Sequence, residues 1–417
     1  MTINILPNNL CIRQLPKVLD RDRFSKSLIG LQEACYEIFD SETNKIWGFV
    51  SINNIKRGPG LGGIRIAPNI TLNEVNRLAY VMTLKNSASC LPYGGGKAGL
   101  IVNDPAFYND RNLKNKLIEK FSKILFTLKS YIPAADMGTD EYDIQMIYEH
   151  HSKKLQQTIH NRGGVGRPFD SGGIPIDDWE LTAHGLFAAA QTMENQMDNF
   201  KIKGSKIIIQ GFGNVGCPIA MKLSQKGAII VGVSDINCAL WNPQGLDIRE
   251  LIRIRNLPAG LKNYSKTVNK IFENKNLDWL LEAPCDILIP AARPDAITAK
   301  NVDRIDCRII LEGANSPTSK PIEYYLKHRR NILSLTDFIV NTGGVIGCAV
   351  EQKIMQDKDY ASKVKIKNTR NYTENLIFNT ISTNVIEIFS RIRKDDVFRD
   401  AATELALERL QTKESWL

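Results

Sequence analysis

Hydrophobic residues in the first half of the chain recur at the spacing of an α-helix. Between residues 112 and 129 they stand three or four positions apart, which predicts an amphipathic helix. The positions are Leu113, Leu117, Phe121, Ile124, Leu125 and Leu128. A second helix is predicted over residues 71–86, where Thr71 is a candidate N-cap and Glu74 stands three residues further on. Lys85 then falls near the end of that helix, just before a run of glycines.

The pattern of hydrophobic residues changes near residue 204. Four short, nearly continuous apolar runs rich in β-branched residues follow, at residues 205–210, 228–233, 285–290 and 307–312. Runs of this kind are typical of parallel strands that are buried on both faces of a sheet. After residue 345 helical spacing returns, with an apolar stripe at Leu376, Ile377, Ile381, Val385, Ile388, Phe389 and Ile392. The alternation of helices and buried strands predicts an α/β fold.

Length, composition and charge narrow the class of protein. The 417 residues exceed the usual size of one domain, so we expect two domains. The chain is 43% hydrophobic and 24% charged and has no low-complexity segment, which is typical of a globular protein. Its net charge of +9 comes from lysines and arginines that are spread along the chain and mixed with acids. Because nucleic-acid binding needs a basic face, we expect no nucleic-acid partner.

The cysteines and the apolar stretches bear on metal binding and location. The eight cysteines form no CxxC pair and stand near no cluster of histidines. This pattern argues against structural zinc, so no metal is expected, and it favours reduced thiols in a cytoplasmic protein. The N-terminal residues combine no basic cluster with an apolar core, which argues against a secretory signal. No stretch approaches the about 20 apolar residues of a membrane helix, so no membrane partner is expected.

A glycine motif follows the first of the four apolar runs. The pattern G-x-G-x-x-G occupies residues 211–216, where such glycines permit a tight turn and bring a pyrophosphate close to a helix N-terminus. The candidate cofactor-binding residues are Gly211, Phe212, Gly213, Asn214, Val215 and Gly216. The alternative interpretation is a glycine-turned α/β unit that binds no nucleotide.

Asp235 stands at the end of the second apolar run, 19 residues after Gly216. An acid at this place accepts hydrogen bonds from the ribose hydroxyls of NAD. It also repels the 2′-phosphate of NADP. NAD is therefore the expected cofactor, and NADP is the alternative because neighbouring residues can reorient or neutralise the acid.

Lysines and glycines occur together within 75 residues of the N-terminal half. The segments are LGGIR at 61–65, GGGK ending at Lys97, and IPAADMGTDE, which contains Asp136; Lys85 lies between the first two. Each lysine has the alternative of being an ordinary solvated side chain, and Asp136 that of a turn former. Because glycines remove the side chains beside each cation, we interpret the glycine run as room for a small substrate that reaches the ammonium group.

Ordered motifs run from about residue 30 to residue 355 and carry a family resemblance. They include GPGLGGIR (58–65), MTLKNSASCLPYGGGKAG (82–99), IPAADMGTDE (132–141), ELTAHGL (180–186), QGFGNVG (210–216), LEGANSPT (311–318) and DFIVNTGGV (337–345). With these motifs the chain resembles the glutamate/leucine/phenylalanine/valine dehydrogenase family. The resemblance implies NAD-dependent, reversible oxidative deamination of an L-amino acid to its 2-oxo acid and ammonia.

The resemblance also implies the architecture. It places a Rossmann-type, doubly wound nucleotide-binding domain over residues 181–345. Residues 1–180 and the C-terminal helices of 346–417 would form an α/β domain for substrate binding and oligomerisation. A homo-oligomer is expected, with a hexamer favoured.

The family pattern assigns roles to polar residues in both halves. Lys97 would be the catalytic lysine, Asp136 would shuttle protons at the substrate nitrogen, and Lys85 would hold the α-carboxylate. Asn341 and Gly62 would line the amino-acid site. These roles suit the chemistry, because hydride leaves Cα only when the amine is neutral, and a desolvated lysine can activate water. In the cofactor site, Thr182 would lie near the nicotinamide carboxamide, and Asn315 would contact the cofactor.

Two positions depart from the pattern of the glutamate enzymes. Those enzymes carry a lysine directly before the Gly-Gly of the first motif, where this chain has Leu61. The third residue after Val345 is often serine in glutamate enzymes and valine in branched-chain enzymes, and here it is Cys348. A γ-carboxylate buried there without a cation would cost several kcal/mol. The sequence therefore predicts an apolar substrate side chain, with glutamate as the alternative and a catalytically silent nucleotide-binding paralogue as a less favoured one.

Overall fold

Two β-sheets and the helices around them form the part of the chain that the computed structural model describes, which is residues 6–16, 32–155, 163–266, 268–366, 368–412 and 414–417. The strands are β1 Leu10–Gln14, β2 Ala34–Asp40, β3 Ile46–Asn54, β4 Gly60–Ala67, β5 Gly94–Ile101, β6 Tyr131–Ala135, β7 Lys206–Gln210, β8 Ile229–Ser234, β9 Cys238–Trp241, β10 Lys270–Glu273, β11 Ile287–Pro290, β12 Ile309–Leu311 and β13 Leu333–Leu335. The α-helices are α1 Leu72–Ala88, α2 Pro105–Asn109, α3 Arg111–Leu125, α4 Glu141–Leu155, α5 Leu181–Gln196, α6 Gly216–Gln225, α7 Ile248–Ile254, α8 Lys320–Arg330, α9 Asp337–Val340, α10 Gly343–Gln356, α11 Lys358–Ile366, α12 Thr369–Arg391 and α13 Phe398–Gln411.

These elements group into two compact units. The first contains the described residues of 1–175, 345–369 and 406–417, and the second those of 176–344 and 370–405. The sequence assigned all of 346–417 to the substrate domain, whereas helix α12 groups with the second unit. The reason is packing, because Ile381 of α12 lies against Gly185 of α5, and Thr192 donates a 2.8 Å hydrogen bond to Ser382. A helical stripe shows that a face is buried but does not show which element covers it.

The sheet of the first unit has the order β1-β2-β3-β5-β4-β6, with β4, β5 and β6 parallel to one another. Both predicted helices of this unit are confirmed as α1 and α3. Thr71 caps α1 as expected, since its side chain accepts a hydrogen bond of 3.2 Å from the amide of Glu74. Helix α3 packs its apolar stripe into the core, where Leu117 and Phe121 are fully buried.

The sheet of the second unit has the order β10-β9-β8-β7-β11-β12-β13. The four predicted apolar runs are β7, β8, β11 and β12, which confirms them as strands. Strands β8, β7, β11, β12 and β13 run parallel, while β9 pairs antiparallel with β8, and β10 pairs antiparallel with β9. The central isoleucines are completely buried, as expected for a sheet covered on both faces. No helix among the described residues is long and apolar enough to cross a membrane.

Candidate active site

Helix α1 packs directly across strand β5. A Cβ atom added to Gly95 would lie 2.3 Å from the amide nitrogen of Thr83, and one added to Gly99 would lie 2.9 Å from Cγ2 of Val75. Thr83 and Val75 both belong to α1. Because residues two positions apart share a face of a strand, Lys97 lies on the face that α1 covers, and its side chain is buried.

The interpretation of the glycine run as room for a substrate is wrong. A Cβ atom on Gly94 would lie 1.8 Å from the carbonyl oxygen of Asn54, and one on Gly96 would lie 2.7 Å from the ring of Tyr131. Protein atoms therefore already occupy the space that the missing side chains leave. The glycines allow β3, α1 and Tyr131 to pack tightly around β5, which fixes the strand that carries Lys97.

Lys97 forms a buried ion pair with Asp136. Its Nζ donates a hydrogen bond to Oδ2 of Asp136, and the two side chains are only 5% and 13% exposed. Strand β4 lies between them, with Leu61 opposite Gly95 and Ile64 opposite Ala98, so that Gly63 lies opposite Lys97. A Cβ atom on Gly63 would lie 2.7 Å from Cβ of Asp136. The second glycine of the LGGIR motif thus leaves the two charged side chains free to meet.

The segment after β6 holds the Asp136 carboxylate in place. Its Oδ1 accepts a 2.7 Å hydrogen bond from the amide of Met137, while the amide of Asp136 donates to the Thr139 hydroxyl at 2.9 Å. That hydroxyl also donates to the carbonyl of Ile64 at 2.7 Å, which ties the turn to β4. Asp136 is therefore both a turn former and the partner of Lys97, because each role uses a different carboxylate oxygen.

Arg65 adds a second cation beside the pair. Its Nε lies 3.5 Å from Oδ2 of Asp136, and its Nη1 donates to Glu74 at 2.7 Å. Burial alone would raise the pKa of the Asp136 carboxyl, but Lys97 and Arg65 outweigh burial and lower this pKa to about 2. Burial lowers the pKa of the Lys97 ammonium, and Asp136 opposes that change. The site thus combines a carboxylate that is ionised at neutral pH with a lysine that gives up its proton more easily than usual.

Lys85 and Gly62 lie on the same side of the sheet as the ion pair. Met82 of α1 has its Cγ 3.3 Å from the place of a Cβ on Gly62, and Lys85 stands three residues further along the same helix, with its side chain buried. The Tyr131 hydroxyl donates a 2.8 Å hydrogen bond to the carbonyl of Gly62. Helix α1 and Tyr131 thus fix the two groups that the sequence assigned to substrate binding.

The predicted specificity residues occupy packed positions in the first unit. Leu61 in β4 is 1% exposed, and its carbonyl accepts a hydrogen bond from the side-chain amide of Asn86. Cys348 in α10 is 3% exposed, and burial together with the nearby Glu351 carboxylate raises the pKa of its thiol. Val345, one turn earlier in α10, is half-buried. Both predicted specificity positions, Leu61 and Cys348, are therefore uncharged and enclosed.

The glycine motif of the second unit has the geometry of a dinucleotide-binding turn. Gly211 has a φ of 91°, and a Cβ there would lie 2.9 Å from Ala292. A Cβ on Gly216 would lie 1.8 Å from the carbonyl oxygen of Gly211. A Cβ on Gly213, in contrast, would meet nothing within 4 Å. The outer glycines are needed for the turn and its packing, while Gly213 leaves open space beside the start of α6, as close approach of a pyrophosphate requires.

The other residues of this motif have different surroundings. Phe212 is buried. The side-chain amide of Asn214 donates a 2.9 Å hydrogen bond to Asp177, and Val215 occupies the position directly before helix α6. These contacts hold the turn, and the residues here fit a bound dinucleotide.

Asp235 also has a structural role that the sequence did not indicate. Its Oδ1 accepts hydrogen bonds from the amides of Asn237 and Cys238, both at 2.7 Å, and its Oδ2 accepts one from the amide of Leu261 at 2.8 Å. Because a carboxylate oxygen can accept two hydrogen bonds, Oδ1 is fully used and Oδ2 keeps one acceptor site. Asp235 therefore shapes its own loop and can still accept a hydrogen bond from a ribose hydroxyl through Oδ2.

Asn315 and Asn341 lie together in the second unit. The side-chain amide of Asn341 donates to the carbonyls of Gly313 and Ala314, each at 3.2 Å, and to Oδ1 of Asn315 at 3.4 Å. Thr182 lies near the same segment, because a Cβ on Gly344 would be 3.2 Å from its Oγ1. The structure thus groups three of the predicted residues of this unit.

Sequence reasoning missed two residues that support the first-unit site. Arg65 belongs to the LGGIR motif, and its position two residues after Gly63 could have indicated that it lies near the ion pair. Tyr131 gave no signal, because its contacts with Gly62 and Gly96 arise only when β6 is placed beside β4. Among the described residues, no group of three or more histidines, cysteines and acids is placed to hold a metal ion.

Known proteins are similar in sequence to this chain over most of its length. The sequence model described as "Glu/Leu/Phe/Val dehydrogenase, dimerisation domain" matches residues 35–153, and the one described as "Glutamate/Leucine/Phenylalanine/Valine dehydrogenase" matches residues 172–415. The chain is 33% identical over 386 residues to a glutamate dehydrogenase of Aeropyrum pernix, covering 89% of this chain and 86% of that protein. It is 32% identical to an NADP-specific glutamate dehydrogenase of Saccharolobus shibatae, covering 89% and 85% of the two chains.

One further relative and one solved structure extend the similarity. A catabolic NAD-specific glutamate dehydrogenase of Bacillus subtilis is 34% identical, covering 72% of this chain and 68% of that protein. Among solved structures, a hetero-hexameric glutamate dehydrogenase from Thermus thermophilus has a TM-score of 0.75 at 22% identity, covering 97% of this chain and 88% of that one. The family models together span both units. The chain belongs to the glutamate/leucine/phenylalanine/valine dehydrogenase family, and it is an amino acid dehydrogenase that acts on CH–NH2 donors with NAD or NADP as acceptor.

Proposed function

We propose that this protein is a glutamate dehydrogenase that catalyses the reversible oxidative deamination of L-glutamate to its 2-oxo acid and ammonia. The observation that carries the proposal is the buried Lys97–Asp136 ion pair beneath α1, in a chain whose relatives are named glutamate dehydrogenases. The apolar preference predicted from Leu61 and Cys348 finds no support among those relatives. Two uncharged positions do not decide specificity, because the affinity for a carboxylate depends on every group around it.

The residues of the ion pair suit the two proton transfers of this reaction. The Asp136 carboxylate accepts a proton from the substrate ammonium, which frees the nitrogen lone pair so that the substrate can lose hydride from Cα. Lys97 then activates the water molecule that attacks the resulting imine carbon, since burial favours its neutral form. When bound, the nicotinamide ring accepts the hydride. Lys85, buried in α1, holds the substrate α-carboxylate, and Gly62 and Asn341 line the amino-acid site.

For the cofactor we propose NAD, held by the turn at residues 211–216 and by Thr182, Asp235 and Asn315. Asp235 keeps a negative charge at the end of β8, where the 2′-phosphate of NADP would be repelled. Since the relatives include both NAD-specific and NADP-specific enzymes, family membership alone leaves this choice open.

We further propose that the chain assembles as a homo-oligomer, with a hexamer favoured, and that it works in the cytoplasm. All eight cysteines lie in the described residues and none of them forms a disulfide bond, which fits a reducing compartment. The solved Thermus thermophilus relative is a hetero-hexamer, which supports six subunits and leaves their identity to be measured. Analytical ultracentrifugation of the purified protein alone checks this point, and an active monomer of 46.8 kDa would contradict it.

A steady-state assay tests the proposed reaction. The purified protein is supplied with NAD or NADP and with glutamate, leucine, valine or phenylalanine, and the appearance of reduced cofactor and ammonia is measured. We expect the highest kcat/KM with glutamate and NAD, and no turnover in a Lys97→Gln variant. A leucine, valine or phenylalanine kcat/KM above that of glutamate would restore the apolar prediction. Absence of turnover with every amino acid would indicate the silent paralogue instead.

A further inference from the structure

A buried cluster of three carboxyl groups surrounds a single guanidinium in the second unit. Arg399 of α13 donates to Glu323 at 2.8 Å and to Glu312 at 3.0 Å, and its Nη1 lies 3.4 Å from Asp337. The three acidic side chains are at most 1% exposed, and that of Arg399 is 14% exposed. No step of the proposed reaction uses these residues. Burying so many charged groups costs free energy, which indicates that the cluster has a role in the fold or in the site.

The cluster lies at the base of the two segments that carry Asn315 and Asn341. Glu312 begins the segment that contains Asn315, and its Oε2 also accepts a 3.0 Å hydrogen bond from the amide of Asp337. Asp337 is the first residue of α9, the short helix that ends directly before Asn341. Its carboxylate accepts a 2.9 Å hydrogen bond from the amide of Ser316. Carboxylates on each segment thus hold the backbone of the other.

The backbone beside Asn315 needs such support. Ser316 has a φ of 50°, in the left-handed region that non-glycine residues rarely adopt. The hydrogen bond from its amide to Asp337 holds this conformation, and Asn341 binds the carbonyls of Gly313 and Ala314 on the other side. If the carboxylates were to repel one another, both segments would shift and both asparagines would move with them.

We propose that Arg399 is a positioning residue that clamps the segments 312–318 and 336–341 together and so sets Asn315 and Asn341 in their working positions. The part that concerns the reaction rests on the proposed function, because it takes these two asparagines as groups of the cofactor and substrate sites. The clamp itself rests on the geometry of the second unit alone.

The charge balance of the cluster affects the pKa of Glu312. One guanidinium compensates one carboxylate, so three ionised acids in this space would leave two uncompensated negative charges. Burial, followed by the nearby Glu323 carboxylate, raises the pKa of Glu312 well above its ordinary value, and Arg399 only partly opposes this. Its Oε1 accepts hydrogen bonds from the hydroxyls of Thr318 and Ser334, the second at 3.0 Å.

A set of three variants tests the clamp. Arg399→Lys keeps one charge but loses the fork that reaches three acids, Arg399→Met removes the charge, and Glu312→Gln removes one carboxylate charge at nearly the same side-chain size. Arg393→Met is the matched control, because Arg393 is a nearby arginine whose side chain is 72% exposed and whose ion pair with Glu404 is a surface pair. Secondary structure and oligomeric state are measured first for every variant.

Hydrogen exchange measured without any ligand reports on the clamp directly. Amides of residues 313–318 and 336–342 should exchange about tenfold faster in Arg399→Lys, and faster again in Arg399→Met, than in the native protein or the control. Glu312→Gln should exchange at the native rate, because the glutamine oxygen can accept from Arg399 and the Asp337 amide, and its NH2 group can donate to the hydroxyls of Thr318 and Ser334. Native exchange in Arg399→Lys would overturn the proposal, and this variant decides the question if Arg399→Met does not fold.

NADH titration and kinetics then separate positioning from mere stability. We expect Arg399→Lys to bind NADH several-fold more weakly and to lose kcat/KM, with Glu312→Gln and Arg393→Met near native. Faster exchange with unchanged NADH affinity and kinetics would overturn the positioning role. A native protein that binds no NADH would refute the proposed function, while the exchange measurements would still decide whether Arg399 clamps the two segments.

Discussion

The ion pair between Lys97 and Asp136 allows a quantitative test by the substitution Asp136→Asn. In the native protein this carboxyl has its pKa lowered from 3.8 to about 2, the net result of burial, which raises it, and of Lys97 and Arg65, which lower it. Each pKa unit corresponds to about 1.4 kcal/mol, so the ionised form of Asp136 stabilises the folded state by roughly 2–3 kcal/mol. Asparagine keeps the size of the side chain but removes the charge, which leaves the buried Lys97 without its ion-pair partner and Arg65 with Glu74 alone.

The sign of the pH dependence follows from the lowered pKa. The stabilisation by Asp136 is fully present above the pKa of the unfolded chain, near 3.9, and is lost as the pH falls through about 2. Urea unfolding of the native protein should therefore lose roughly 2–3 kcal/mol from this group between about pH 5 and pH 1. Asp136→Asn should lack this component and be less stable at neutral pH by a similar amount.

The same variant should also lose turnover. Without a carboxylate to accept the substrate proton, we expect kcat to fall about 10²- to 10⁴-fold, while NADH binding stays near native. Asp110→Asn is the matched control, because Asp110 is an exposed N-cap of α3 and asparagine caps a helix equally well. If Asp136→Asn deaminates glutamate within about threefold of the native rate, Asp136 is only a turn residue and the proposed proton transfer is wrong.

Three further substitutions probe separate parts of the site. Lys97→Ala should lower kcat by about 10²-fold or more. Its NADH affinity should stay within about twofold of native in a fluorescence titration. A native kcat would exclude Lys97 from the mechanism. Gly63→Ala places a methyl group 2.7 Å from Cβ of Asp136, so it should separate Lys97 from Asp136 and change kcat more than KM. Native kinetics would show that the structure relaxes around the added methyl group without cost. Asp235→Ser should narrow the ratio of kcat/KM for NAD over NADP, and a native preference for NADP would show that the surrounding loop overrides this acid.

Local sequence patterns were enough to predict several of the elements that carry the candidate site. Helix α1 with its Thr71 cap, helix α3 and the four buried strands of the second sheet follow from local periodicity, because the burial of one face imposes a pattern on the chain whatever covers it. The turn at residues 211–216 was also predictable, since only glycine accommodates its backbone and its close contacts.

The role of the glycines before Lys97 and the surroundings of the charged groups follow instead from contacts between separate segments of the chain. The packing of α1 and Tyr131 onto β5, the meeting of Lys97 and Asp136 across Gly63, and the cluster around Arg399 join residues that are from 12 to 87 positions apart. Periodicity carries no information about which distant segment fills a given space. For the same reason the stripe of α12 predicted a buried helix correctly, but only its contacts with α5 assign that helix to the second unit.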